Sequence, residues 1–159
     1  MNLVASNKKM NIFTNPRRIP EDYGIRIAVG LTLYFLVMRL SGLAHIVELR
    51  LLNLIILVAG IYLALKKFRK AYQHINYFRA LITGVTTAAI GSCIFAVFLF
   101  VYMQVDTSMM NYIIEKEPMG RYLNPYIASF IVALEGVFSG LLATFVLINY
   151  METDQPTEG

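Results

Sequence analysis

The sequence has almost none of the side chains that build metal, haem or disulfide sites. It contains one cysteine, Cys93, two histidines, His45 and His74, and no tryptophan. A single cysteine excludes an intrachain disulfide and any multi-cysteine iron–sulfur or zinc site. The two histidines fall at opposite membrane faces of the topology predicted below, so together they cannot clamp one haem or one metal. We therefore expect no metal and no cofactor.

Catalytic motifs are also missing. No phosphate-binding glycine loop precedes a Lys-Ser or Lys-Thr pair, no His-Glu-x-x-His occurs, and serine, histidine and aspartate never cluster as a hydrolase requires. The sequence therefore predicts a protein that is not an enzyme. Acidic residues are few, ten against 14 basic ones, which gives a net charge of +4. Because the basic residues cluster beside apolar runs, attraction to a membrane surface explains them better than nucleic-acid binding, which we do not expect.

The sequence does contain apolar runs long enough to cross a membrane. Hydrophobic residues make up 57% of the chain, and the mean hydropathy is +0.59, whereas soluble domains are about 45–50% apolar. Four runs, at about residues 23–41, 46–65, 80–103 and 126–149, approach or exceed the roughly 20 residues that cross a hydrocarbon core. They predict an all-α polytopic membrane protein whose domain, residues 23–150, is an up-down bundle of four transmembrane helices.

The distribution of charge predicts the orientation of this bundle. Ten of the 14 basic residues lie in two regions, five up to Arg26 and five between residues 66 and 79. Cytoplasmic loops are enriched in lysine and arginine, so both regions and both termini are predicted to be cytoplasmic. Residues 1–22 lack the apolar run of a cleaved signal, and residues 151–159 form an acidic tail that we expect to be disordered. The residues predicted to contact lipid headgroups are Lys66, Lys67, Arg69 and Lys70.

Small residues in the third and fourth runs predict close helix packing. In the fourth run they recur at alternating spacings of four and three, which places them in one stripe along a helix. Antiparallel helices would put Gly140 and Ala143 level with Gly84 and Ala88. The bulky phenylalanines of the third run are expected to fill the space beside Ser129. The predicted packing residues are Gly84, Ala88, Gly91, Ser129, Ala133, Gly136, Gly140 and Ala143.

Glu135 places a carboxylate near the middle of the fourth run. An ionisable group at this depth costs at least about 2.5 kcal/mol on insertion scales and seldom faces lipid. Arg39 leans into the outer half of the bilayer, as does Glu135 on a helix of opposite direction, so we expect the two to converge. Alternatively, Glu135 carries a proton or cation or contacts a partner subunit, and Glu48 and Arg50 are simply solvated. The predicted intramembrane polar cluster is Glu135, Arg39, Arg50, Asn53 and Glu48.

The longest connection, residues 104–125, is unusually apolar for an outer loop. Asp106, Thr107 and Ser108 are typical of the start of a helix, which we expect to continue to Lys116. Its many apolar side chains predict that it lies on the membrane surface or docks on a partner.

The chain also resembles a known family. The run Ile75-Asn76-Tyr77-Phe78-Arg79-Ala80 leads to Gly84, and a long third span, a polar outer loop and a final helix rich in small residues follow. This layout, over about residues 23–150, resembles a bacterial family of four-helix inner-membrane proteins known only as a domain of unknown function. The resemblance implies a multi-pass protein of a bacterial inner membrane, with four spans, and it supplies no activity and no catalytic residues.

Three functions are compatible with these patterns. The first is a structural or accessory membrane protein that assembles with itself or with a larger membrane complex through the small-residue helix faces and the apolar outer loop. The alternative is a small transporter or channel, coupled to protons or cations through Glu135. Four spans enclose little of a pathway, so this alternative needs at least a dimer. A lipid- or stress-responsive sensor that uses the basic inner loop is a third reading.

Overall fold

The computed structural model describes residues 18–42, 50–72, 76–116 and 119–153, and these are helical with short connections. Four long helices are α1 (Ile19–Leu40), α2 (Arg50–Ala71), α3 (Tyr77–Val105) and α5 (Pro125–Thr153). The shorter α4 (Thr107–Lys116) and a 3-10 turn (Gly120–Tyr122) lie between α3 and α5. The predictions for residues 1–17, for His45, Glu48 and His74, and for the tail from residue 154 concern residues outside these ranges.

The four long helices confirm the predicted all-α, four-span architecture. Each is long and apolar enough to cross a membrane. At about 1.5 Å per residue, the 29 residues of α3 and of α5 each extend for about 43 Å, which exceeds a hydrocarbon core of about 30 Å. Their ends therefore reach the headgroup layers on both sides.

The ends of α1 and α3 show why these helices begin and stop where they do. The first turn of α1 contains Pro20, whose fixed backbone angle suits that position, and Glu21 and Asp22, which favour a helix N-terminus. After Leu40 the chain turns at Gly42, whose φ of 68° is a left-handed conformation that glycine adopts without strain. At the start of α3, Asn76 accepts a hydrogen bond from the backbone N–H of Phe78 at 3.1 Å.

The basic residues after the second span lie in a helix rather than in a loop. Helix α2 continues to Ala71, so Lys66, Lys67, Arg69 and Lys70 occupy its last turns. We call this end of the bundle the basic end, and the opposite end, where α1 and α3 finish and α4 lies, the α4 end. Favourable interaction of cations with a helix C-terminus explains the extension.

Helix α3 is the central element of the bundle. It has the largest buried share of the four spans and packs mainly against α5 and α1. The buried side chains extend along it and onto its neighbours, and the most completely enclosed include Ile61, Thr87 and Thr144. The hydroxyls of Thr87 and Thr144 donate to carbonyls of their own helices, at 2.7 and 2.6 Å. Their polarity is therefore satisfied without a partner helix.

Helices α3 and α5 touch through small residues. A Cβ atom added at Gly140 would overlap Ala88, one at Gly84 would overlap Thr144, and one at Gly136 would overlap Ser92. The two backbones thus approach as closely as their side chains allow. This contact, which we call the α3–α5 seam, extends from the basic end to about the middle of the bundle and matches the antiparallel register expected for these helices.

Beyond the seam, the aromatic residues of α3 pack against both α1 and α5. Phe95, Phe98 and Tyr102 contact Phe35 of α1, with ring centroids 5.0–6.4 Å apart in edge-to-face geometry. Phe100, a further aromatic residue of α3, contacts Tyr126 of α5, about one turn before Ser129, with ring centroids 4.7 Å apart. Edge-to-face ring pairs add about 0.5–1.5 kcal/mol beyond burial, and α1 supplies the ring that makes them.

Candidate functional site

A cavity of about 620 Å³ lies between α1, α2, α3 and α5, toward the α4 end. It is lined mostly by apolar side chains, which include Leu31, Phe35, Leu57, Phe95, Leu99 and Met103. Small-molecule sites in proteins are typically about 300–1,000 Å³ and mostly apolar, with a few polar groups. The size and lining of this cavity therefore match a ligand site inside the membrane-spanning part of the chain.

The α3–α5 seam closes one end of the cavity, and α4 covers the other. Ser92 and Gly136, which meet at the seam, are lining residues. Met109 and Ile113 of α4 line the opposite end. Helix α4 has apolar residues along one side, and Met110 is buried. The apolar outer loop predicted to lie on the membrane surface or a partner thus also packs onto its own bundle.

Glu135 and Asn53 each bring an oxygen without a hydrogen-bond partner, within the described part of the chain, to the cavity. Glu135 lines the cavity, is exposed, and makes no hydrogen bond or ion pair there. Asn53 also lines the cavity, and its Oδ1 atom is buried without a partner among the described residues. A carboxylate and an amide oxygen both accept hydrogen bonds. The cavity therefore combines an apolar lining with two unused acceptors.

At the α4 end of the bundle, the side chain of Arg39 is held by an ion pair and hydrogen bonds. Its Nη2 atom lies 2.5 Å from Oδ2 of Asp106 and donates to the hydroxyl of Ser108 at 2.9 Å, while its Nε donates to the hydroxyl of Tyr102 at 3.1 Å. The Tyr102 hydroxyl in turn donates to Oδ2 of Asp106 at 3.0 Å. We call these four residues the rim clamp, because they join the last turn of α1, the end of α3 and the start of α4.

The rim clamp keeps Asp106 ionised. Hydrogen bonds from the Ser108 hydroxyl and the Arg39 guanidinium lower the pKa of Asp106 well below its ordinary value. Oδ1 of Asp106 also accepts from the backbone N–H of Ser108 at 3.1 Å, so the residue caps α4 as the sequence predicts.

The pairing of Arg39 with Asp106 corrects the expected convergence of Arg39 with Glu135. Helices α1 and α3 run in the same direction and end at the same level, so Arg39, in the last turn of α1, meets the residue that follows α3. Glu135 is ten residues into α5, about 15 Å from its start. Asp106 lies directly after the third apolar run, and this position in the sequence could have predicted its pairing with a basic residue at the same end of the bundle.

The other predicted cluster members separate in the structure. Asn53 joins Glu135 as a lining residue of one cavity. Arg50 is the first residue of α2, and its side chain, like the whole of Glu48, lies outside the described residues.

Most of the predicted packing residues lie at helix contacts inside the chain. Gly84, Ala88, Gly136 and Gly140 belong to the α3–α5 seam, whereas Gly91 faces Ile27 of α1. Ser129 is buried and donates to the carbonyl of Pro125 at 2.7 Å, and Ala133 and Ala143 are half-buried. Because α3 already covers Gly136 and Gly140, that part of the stripe is not available to another chain. This corrects the expectation that the stripe serves in assembly.

The residues predicted to contact lipid headgroups gather at the basic end. The ammonium of Lys67 and the guanidinium of Arg26 both lie over the ring of Tyr23, at 5.6 and 5.0 Å from its centroid. Lys66 lies over the Tyr62 ring at 5.8 Å, and Arg69 donates to the carbonyl of Met151 at 3.0 Å. Cations held against tyrosine rings are typical of the interfacial layer of a membrane protein.

Together, the fold and the site define a multi-pass helical membrane protein with a ligand-sized apolar cavity. Residues 22–119 match the family described as "Protein of unknown function (DUF4199)", and the chain belongs to that family. The matched region includes α1 to α4 and ends before α5, so Glu135 lies outside it. No curated protein and no solved structure matches the chain.

Proposed function

We propose that the protein is a non-catalytic accessory membrane protein that binds one amphiphilic molecule in the cavity between its four long helices. The observation that supports this function is the cavity itself, about 620 Å³ of mostly apolar space within the membrane-spanning part of the chain. A ligand for such a site is apolar over most of its surface and has a small polar group for the unpaired acceptors. Molecules of that kind concentrate in the bilayer, where the cavity is located.

The cover over the cavity favours retention of a ligand. Met109 and Ile113 of α4 close the α4 end, and Met119 and Leu123 from the following segment line it as well. The rim clamp fixes the start of α4 to α1 and α3. Release of a ligand toward this end therefore requires α4 to move. The lining residues Leu54 and Ile131 are exposed, so the side between α2 and α5 remains open to exchange with lipid.

A variant that fills the cavity tests this function. Ala128 lines the cavity, so Ala128→Phe places a ring inside it, whereas Val97 is 64% exposed and Val97→Phe adds bulk on the outside of the bundle. Native mass spectrometry of protein released from neutral maltoside micelles should detect one retained amphiphile in the parent and in Val97→Phe, and none in Ala128→Phe. Equal retention in all three proteins, or none in the parent, would reject the proposal.

A proton- or cation-coupled transporter is the second candidate, because Glu135 offers a carboxylate to the cavity. In this chain the α3–α5 seam lies between the cavity and the basic end, so a continuous pathway needs a second chain. Reconstitution into liposomes with an internal pH dye measures the flux directly. A flux in the parent that disappears in Glu135→Gln would support transport, and a parent without flux would eliminate it.

Assembly with a second copy or with a larger membrane complex is also part of the proposal. Since the small-residue stripe is covered by α3, the contact would use the exposed side of α5, which includes Phe138 and Leu142. Purification in mild detergent with a mass measurement tests it, and a monomer without companions would contradict it. The family resemblance leads us to propose a bacterial inner membrane as the location.

A further inference from the structure

We infer that the cavity selects an amphiphile whose polar group is a positively charged hydrogen-bond donor, such as a lipophilic primary amine, and that Glu135 is the residue that selects it. This inference rests on the proposed function and names its ligand class. It commits the site to a cation rather than to a neutral or anionic lipid.

Two oxygen atoms of the cavity are available to a hydrogen-bond donor. Glu135 and Asn53 each contribute an oxygen without a hydrogen-bond partner in the described part of the chain. Oδ1 of Asn53 is buried, and a buried acceptor that is left unpaired is unfavourable in an apolar surrounding, whereas Glu135 is exposed and has no counter-charge among the described residues. An ammonium group offers three donors to satisfy such oxygens. A ligand that only accepts hydrogen bonds would leave both oxygens unpaired.

The charge of the lining residues also favours a cationic ligand. None of the described residues that line the cavity is lysine, arginine or histidine, and Glu135 is the carboxylate among them. Arg39, at the rim, is already bound by Asp106, Tyr102 and Ser108. A phosphate, sulfate or carboxylate head therefore meets no free cation among the described lining residues, whereas an ammonium would pair with Glu135. Ionisable groups within the membrane persist when they are paired, so the ion pair favours both partners.

The lining also suggests how such a ligand lies. Glu135 adjoins Gly136, which meets Ser92 at the closed end of the cavity. Methionines cluster toward the other end, where Met103, Met109 and Met119 are lining residues. Methionine is unbranched and adapts to irregular shapes, so this end accommodates alkyl groups of different form. The ammonium then lies beside Glu135, at the end of the cavity away from α4, and the apolar part extends toward α4.

Three probes with the same alkyl chain and different heads test the inference. Dodecylamine is cationic at neutral pH, dodecanol is neutral and dodecanoate is anionic. The protein is reconstituted in nanodiscs of uncharged lipid, and binding is measured by equilibrium dialysis with empty nanodiscs subtracted. We expect dodecylamine to bind at least about tenfold more tightly than dodecanol, which corresponds to about 1.4 kcal/mol, and dodecanoate to bind more weakly than either.

Glu135→Gln keeps the size of the side chain and removes its charge. We expect the preference for dodecylamine over dodecanol to fall below about twofold while dodecanol binding is retained, which also shows that the cavity is intact. The matched control is Glu115→Gln, the same change on the exposed surface of α4, and it should keep the full preference. A preference that survives in Glu135→Gln overturns the inference.

The remaining outcomes separate this inference from the proposed function. If the parent binds dodecanol and dodecylamine equally, amphiphile binding stands and the cation selectivity is wrong, whatever the variants do. If the parent binds none of the three probes, the proposed function fails as well. If light scattering detects a dimer of the parent and a monomer of Glu135→Gln, a second copy of the chain occupies Glu135, and the inference is overturned.

Discussion

Asp106 joins three helices through one carboxylate. Oδ2 accepts hydrogen bonds from Arg39 of α1 and Tyr102 of α3, while Oδ1 accepts from the backbone and the hydroxyl of Ser108 at the start of α4. Charge-assisted hydrogen bonds of this type are stronger than neutral ones. Because α4 covers the cavity, this residue links the position of the cover to the rest of the bundle.

Replacement of Asp106 by asparagine should loosen α4. The amide preserves the size of the side chain but removes the charge that Arg39 pairs with and places an N–H₂ group where an acceptor is required. We expect the backbone amides of residues 107–116 to exchange hydrogen faster than in the parent, while α3 and α5 are unchanged. Hydrogen exchange with mass spectrometry in nanodiscs measures this. Glu115→Gln, on the same helix, is the control, and equal exchange in all three proteins would contradict a role for the clamp.

The lowered pKa of Asp106 sets the pH range over which the clamp holds. A carboxyl whose folded pKa is below its unfolded value, about 3.9, contributes stability that is fully present above that value. The contribution is lost only as the pH falls through the lower, folded pKa. The cover should therefore stay protected from neutral pH down to about 4. Loss of α4 protection between pH 7 and 5, measured in the parent, would be incompatible with this account.

At the scale of helices, the α3–α5 seam depends on the absence of side chains. Gly140 and Ala88 leave no room between the two backbones, and Gly84 is equally close to Thr144. In a membrane, helix association relies on such van der Waals contact because lipid is as apolar as the helices. Seam residues are therefore more sensitive to added volume than Gly30, whose added Cβ would lie 3.2 Å from its nearest neighbour.

Gly140→Ala should destabilise the bundle by about 1–3 kcal/mol, because the new methyl group overlaps the Cβ of Ala88. Thermal unfolding in detergent micelles measures the loss. Gly30→Ala is the matched control, since its Cβ would lie 3.2 Å from a side-chain atom of Ile56, which can shift. The double variant Gly140→Ala with Ala88→Gly restores the missing space and should recover stability. A destabilisation as large in Gly30→Ala as in Gly140→Ala would argue against the seam.

The sequence predicts the helices and the seam better than it predicts the contacts of single side chains. Apolar runs and the spacing of Gly136 and Gly140 can be read from neighbouring positions in the sequence. In a helix, that spacing alone determines which residues lie on the same face. The partner of Arg39 depends instead on which helix ends reach the same height. The cavity depends on where four helices leave space, which is a property of all of them together. The spacing of residues within one apolar run therefore does not predict the cavity.

For the whole molecule, four crossings require both termini to lie on the same side of the membrane. The concentration of basic residues at the basic end predicts that this side is the cytoplasm. A fluorescent protein fused after the last residue should fluoresce, whereas alkaline phosphatase fused there should be inactive. Alkaline phosphatase fused after Tyr122, beyond the third span, should be active. The opposite pattern of activities would reverse the orientation, and activity at both positions would contradict four spans.

The seam and the cavity lie at different depths, and this gives the two leaflets unequal mechanical roles. Where α3 and α5 touch through Gly140 and Ala88, the cross-section of the bundle has no free volume to lose. Where the helices surround the cavity, the cross-section is compressible. Lateral pressure in that leaflet would oppose binding in the cavity, because a bound molecule keeps the helices apart. Under the proposed function, we therefore expect the lipid composition of that leaflet to affect occupancy of the cavity.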